Sequence, residues 1–155
     1  DQQQAVADTA HADAIMATNY NGPARLLLAA ARRWTGGTII GISSVAGDRG
    51  RPRNYTYGAA KGALTLYLQG LRSRLYPADV AITTLKLGPV DTPMTTTHTK
   101  NASFTTPEKL APAIVRAIDR RAGEVYLPWY WRPILAVVRN TPEALFQRLR
   151  FLSGR

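Results

Sequence analysis

Short apolar runs rich in β-branched residues alternate with helical patterns along this chain, and that alternation constrains the fold more than any other feature. From Asp13 to Arg33 the sequence is rich in Ala and Leu, and the run Leu26-Leu27-Leu28-Ala29-Ala30-Ala31 stops before Gly36-Gly37. It predicts a long, largely buried helix closed by glycines. Thr38-Ile39-Ile40-Gly41-Ile42-Ser43-Ser44 has the pattern of a strand covered on both faces. Gly47 to Thr56 holds Gly, Pro, Asn and three arginines, and marks a loop. Tyr57 to Leu75 predicts a second helix, with Leu64, Leu68, Leu71 and Leu75 on one apolar face and Pro77 as its stop. Val80 to Leu87 reads as a second strand. Thr106-Pro107 places a capping threonine before a helix running to about Arg121, and Glu124-Val125-Tyr126-Leu127 is a short third strand. Strands alternating with helices predict parallel pairing, with ligands at the carboxyl ends of the strands.

At 155 residues and 45% hydrophobic, the chain has material for one core and one domain. The absence of cysteine excludes a disulfide framework, a Cys-based zinc site and a thiol nucleophile. His11 and His98 stand alone without ligand spacing; both are read as surface residues, and no metal is expected. The net charge of +10 is uneven: residues 1–48 carry 3 basic and 4 acidic groups, 49–115 carry 9 and 3, and 116–155 carry 8 and 3. Such an excess suits nucleic acid, anionic lipid or phosphorylated ligands. No helix-turn-helix or RNA-binding signature accompanies it, so nucleic acid is not the expected partner. A non-catalytic basic binding module remains the competing reading.

The chemistry-bearing residues gather at the predicted strand ends. Ser43-Ser44 closes the first strand, and Tyr57 opens the next helix with Lys61 one turn on, on the same face. A phenol near its ordinary pKa of ~10 is too weak an acid for proton transfer at neutral pH, and a neighbouring ammonium is expected to depress it. Each residue has a structural reading as well: Ser44 can cap the turn after its strand, and Gly88-Pro89 can be no more than a turn.

Ile39-Ile40-Gly41-Ile42-Ser43-Ser44-Val45-Ala46-Gly47, then Tyr57-Gly58-Ala59-Ala60-Lys61, then Gly88-Pro89-Val90-Asp91-Thr92 resemble, in order, successive signatures of the short-chain dehydrogenase/reductase family. The thirteen-residue interval from Ser44 to Tyr57 matches the family and favours Ser44 over Ser43, and Thr18-Asn19-Tyr20 resembles the segment carrying its active-site asparagine. The resemblance implies a catalytic set of Asn19, Ser44, Tyr57 and Lys61 acting on a secondary alcohol or ketone. Tyr57 would be the acid in reduction and the base in oxidation, Ser44 would bind the substrate oxygen, and Asn19 would hold a water linked to Lys61. Tyr57, Lys61, Gly88, Val90 and Thr92 would contact a nicotinamide cofactor, NADP or NAD, with reductive members tilting the choice to NADP. Leu87 stands where the family usually has proline, which questions the rigidity of that loop. An epimerase or dehydratase sharing the Tyr and Lys pair is a further alternative, which the Ser-Ser-x-Ala-Gly context fits less well.

The resemblance covers only the second half of the family fold. No G-x-x-x-G-x-G turn is present and the chain begins at Asp1, so the expected fold class is α/β, the C-terminal part of a doubly wound parallel-sheet Rossmann fold with its N-terminal strands missing. Such a fragment is expected to be inactive alone. The tail from Trp129 to Arg155 places Trp129, Tyr130 and Trp131 beside Arg132 and the apolar run 134–138, too short to span a bilayer. It fits either a membrane surface, with Arg139, Arg148 and Arg150 facing headgroups, or packing on its own domain or a dimer partner. This tail and the arginines of Gly47 to Arg53 resemble the branch that contains the polyprenylphosphoryl 2-keto-pentose reductase, which implies a lipid-linked sugar as substrate. Residues 13–33 and 57–75 correspond to the family's dimer helices, implying a homo-oligomer. The expected location is cytoplasmic, with the aromatic, arginine-rich tail as a peripheral membrane contact.

Overall fold

The computed structural model describes residues 2–96 and 99–149; His98 and Arg150 lie outside the described residues. Its centre is a three-stranded parallel sheet, β1 (Gly37–Ser44), β2 (Val80–Leu87) and β3 (Glu124–Leu127), in the order β1-β2-β3. The helices are α1 (Gln2–Ala7), α2 (Thr9–Met16), α3 (Gly22–Ala31), α4 (Tyr55–Leu75), α5 (Pro107–Asp119), α6 (Trp131–Asn140) and α7 (Glu143–Arg148). The second and third strands occupy the residues that the sequence predicts, and the parallel pairing follows from the crossovers through α4 and α5.

Leu64, Leu68, Leu71 and Leu75 of α4 are buried against Ile39, Val80 and Ile82, so the predicted apolar face of this helix does cover the sheet. On the opposite face, Leu110 and Ala117 of α5 bury with Leu85 and Leu127. Two of the expectations that fail here concern the first helix and first strand. The segment 13–33 is not one buried helix: α2 and α3 flank a π-helical stretch, Ala17–Asn21, and only Leu27 among them is buried. The run ends at Arg32 rather than at the glycines, and Gly37, at φ 82°, instead starts β1.

β1 is covered on one face, not two. Ile39 and Ser43 face α4, while Ile40 and Ile42 are 37% and 57% exposed and Leu26 on α3 is 72% exposed. These side chains, with Pro23, Leu27, Gly41 and Leu64, line an open apolar cleft beside the unpaired edge of β1. A continuous apolar strand needs cover on both faces, and among the described residues α4, with Leu27 of α3, covers the face that carries Ile39. Thr106 occupies the N-cap position of α5 without a side-chain cap hydrogen bond, so Pro107 alone carries the predicted start signal. His11 is half-buried rather than a surface residue.

The tail packs on its own domain. Leu135, Val138 and Phe146 are buried with Val45, and Tyr126 and Trp131 pack beside them. Trp129, Ile134, Val137 and Leu145 remain exposed on its outer side. Among the described residues no helix is long and apolar enough to cross a membrane.

Candidate active site

Ser44 is the last residue of β1, and the chain turns at once into a 3-10 segment, Val45–Asp48. The Ser44 Oγ accepts from the Ala46 amide at 3.1 Å, approaches the Leu87 carbonyl at 3.4 Å and lies near enough to the Tyr57 phenol to act on its pKa. It therefore caps its turn and faces the tyrosine at once. Ser43 faces the other way, donating to the Lys61 carbonyl at 3.0 Å and sharing a 2.7 Å hydrogen bond with Thr65. Alternation along the strand sends the two serines to opposite faces of the sheet.

Tyr57 and Lys61 lie one turn apart on α4, with the Lys61 Nζ 5.7 Å from the Tyr57 ring centroid. The expected depression of the phenol is not what results. Burial pushes the Tyr57 pKa up and the Ser44 hydroxyl only partly offsets this. Burial also lowers the Lys61 pKa, and its ammonium donates to the Ile42 carbonyl at 3.2 Å. Asn19 sits within the π-helical stretch, which packs against α4, and its Nδ2 donates back to the Ile15 carbonyl at 3.0 Å. The side chain thus bonds to its own helix and not to the Ser44, Tyr57 and Lys61 group.

Gly88, Val90 and Thr92 follow the carboxyl end of β2, beside Ser44. The Leu87-for-proline change does not loosen this loop. Gly88 N–H donates to Leu127 O, Val90 bridges Thr105, and Asp91 N–H donates to Thr105 O at 2.8 Å. Thr92 and Thr95 cap each other in a reciprocal box. Gly88 is required by the tail: a Cβ there would run into the Trp131 indole.

The close approach of α4 to the serine turn rests on a glycine pair that sequence inspection passes over. A Cβ on Gly47 would meet the Gly62 backbone nitrogen at 2.6 Å, and one on Gly62 would meet the Gly47 carbonyl at 2.9 Å. Backbone against backbone cannot relax as a side chain can. Gly47→Ala is therefore expected to cost about 1–3 kcal/mol in urea unfolding, whereas Gly70→Ala, with nothing within 4 Å, stays neutral or stabilises. Equal unfolding midpoints for the two variants would show that the contact is unimportant.

Behind the turn lies a buried ionic cluster that the sequence also leaves unmarked. Lys86 Nζ pairs with Asp48 Oδ1 at 2.6 Å and Glu124 Oε1 at 3.0 Å, and the Tyr126 hydroxyl donates to Asp48 Oδ2 at 2.7 Å. Burial pushes the Lys86 pKa down, yet its bonds to Asp48, Glu124 and Tyr126 outweigh that and leave it raised. A lysine inside a strand of apolar residues and threonines is the one available signal. Arg49 is not free to form an anion-binding rim. Its guanidinium donates to Val138 O at 2.8 Å and Thr141 O at 2.5 Å, pairs with Glu143 and stacks on Phe146.

The family model described as short chain dehydrogenase matches residues 1–103. The chain belongs to that family. An uncharacterized oxidoreductase of Mycobacterium tuberculosis is 38% identical over 152 residues, covering 96% of this chain and 61% of the relative. A further uncharacterized oxidoreductase, from Streptomyces coelicolor, is 36% identical over 135 residues, covering 85% of this chain and 53% of its own length. Among solved structures, a short chain dehydrogenase from Burkholderia cenocepacia in complex with NADP is 27% identical with a TM-score of 0.76, covering 92% of this chain and 60% of that one. This short chain dehydrogenase chain thus spans about three fifths of the length of such relatives. Its α/β fold has the form of the C-terminal part of a doubly wound Rossmann sheet.

Proposed function

We propose that the full-length protein is an NAD(P)-dependent oxidoreductase interconverting a secondary alcohol and a ketone, with Tyr57 as acid and base. The observation that carries this reading is the placing of the Ser44 hydroxyl at the carboxyl end of β1 near enough to the Tyr57 phenol to lower its pKa, with Lys61 one turn along the same helix. Ser44 holds the substrate oxygen next to the phenol, and Tyr57 gives that oxygen its proton in reduction or takes it in oxidation. Lys61 fits the ribose hydroxyls of a nicotinamide cofactor: an ammonium has three N–H donors, and the bond to Ile42 uses one. Gly88, Val90 and Thr92 border the same site and suit the nicotinamide end. The cofactor supplies the hydride.

NADP is the favoured cofactor, in keeping with the NADP carried by the Burkholderia cenocepacia protein. Asn19 stays the residue that would hold a water linked to Lys61, with its Nδ2 bonded to the Ile15 carbonyl. A polyprenyl-phosphate-linked ketose as substrate would have to use the exposed Arg53 and the outer side of the tail, since Arg49 is committed elsewhere.

The pH dependence follows from the raised Tyr57 pKa. The phenol stays protonated through neutral pH, so reduction is expected to be level between about pH 6 and 9 and to fall only as pH passes the raised value. Oxidation needs the phenolate and climbs over the same range. Because the Ser44 hydroxyl lowers the pKa, Ser44→Ala moves the alkaline limb to higher pH. Initial rates in both directions, followed by nicotinamide absorbance with a panel of sugar, steroid and acyl ketones, test the assignment. A bell centred near neutrality, unchanged by Ser44→Ala, would remove Tyr57 from the role.

A further inference from the structure

We propose that Asp48 is a positioning residue for Ser44, held in place by Lys86 and Tyr126; the catalytic part of this rests on the function proposed above. The Ser44 hydroxyl is aimed by the turn that follows it, because its Oγ accepts the amide of Ala46, two residues on. That turn is only four residues long and ends at Asp48. Fixing the far end therefore fixes the near one.

Asp48 is fixed on both carboxylate oxygens. Oδ1 accepts from Lys86 at 2.6 Å and Oδ2 from the Tyr126 hydroxyl at 2.7 Å, with the Asp48 and Lys86 side chains each 3% exposed. The donors come from two strands. Ser43, Lys86 and Tyr126 occupy one register row across β1, β2 and β3, next to the row of Ser44, Leu87 and Leu127. The carboxylate thus references the serine turn to the sheet row directly behind the reacting hydroxyl. Arg49, the next residue, ties the same turn to the carbonyls of Val138 and Thr141 at the end of α6.

A buried ion pair is a weak source of net stability, since apolar residues of similar size commonly do as well. Two charge-assisted bonds to one carboxylate do, however, set direction in a way that apolar contacts cannot. Asp48→Asn keeps the shape, removes the charge and leaves only one acceptor oxygen for two donors. Tyr126→Phe is milder, deleting the Oδ2 bond and sparing the pair with Lys86.

The decisive measurement is a double-mutant cycle in the full-length protein. Asp48→Asn is expected to lower kcat about tenfold with the cofactor KM unchanged, and Tyr126→Phe is expected to act in the same direction more weakly. In a Ser44→Ala background neither substitution should lower kcat further; additive losses overturn the proposal. A readout without activity separates it from the proposed reaction. Amide hydrogen exchange at Ala46, measured on this chain, should accelerate in Asp48→Asn and Tyr126→Phe while exchange within α4 stays as in the parent. Unchanged Ala46 exchange in Tyr126→Phe, which keeps the ion pair, overturns the proposal even if Asp48→Asn does not fold. Should Tyr57→Phe retain activity, the reaction assignment fails and the exchange result still decides whether Asp48 sets the turn.

Discussion

Tyr57→Phe in the full-length protein is expected to lower carbonyl reduction by about 10²- to 10⁴-fold, the range for loss of a positioned general acid. The substitution deletes one oxygen and keeps the ring over which the Lys61 ammonium sits. Cofactor affinity should therefore stay near that of the parent. Folding should too: the ring stays in its place, and the desolvation cost of the buried phenol disappears with its hydroxyl. The comparison with Ser44→Ala is informative, because that variant leaves the acid in place and removes the group that orients the substrate oxygen. A Tyr57→Phe enzyme with parental kcat would end the assignment, whatever Ser44→Ala does.

Lys86→Met is expected to be the most damaging single change to stability, by about 3–5 kcal/mol. The lysine is 2% exposed, and Asp48, its closest partner at 2.6 Å, has a side chain 3% exposed. Removing the ammonium leaves a buried carboxylate whose one remaining hydrogen-bond donor side chain is the Tyr126 hydroxyl, with Arg51 and Arg139 acting on it through space. Glu124, 35% exposed, can turn to water and suffers less. Since small domains are stable by only about 5–15 kcal/mol, urea unfolding should show a large fall in midpoint. Adding Asp48→Leu to Lys86→Met should recover most of the loss, because the penalty comes from the unpaired charge rather than from the missing attraction. A single variant as stable as the parent would mean that water reaches Asp48.

The local signals in this chain were strong where one residue type does one job. Pro107 starts α5, leucines at helical spacing define the buried face of α4, and alternation in β1 sends Ser43 and Ser44 to opposite sides. They were weak where a contact joins distant segments. Asp48 and Lys86 are 38 residues apart, and nothing in either neighbourhood names the other. Arg49 looked like part of a basic rim because arginines are usually solvated, yet the end of α6 offers it carbonyls and a phenyl face.

By itself, then, the sequence determined the order of strands and helices and the family the chain belongs to, and it named Ser44, Tyr57 and Lys61 as candidates. Periodicity and short spacings are properties of consecutive residues and survive in a linear reading. Only the tertiary structure decided the rest: that the Tyr57 phenol is raised by burial rather than lowered by Lys61, that one face of β1 stays bare, and that the tail folds back onto the serine turn. Burial, desolvation and the pairing of remote charges depend on which surfaces meet, and that is settled only when the sheet has assembled.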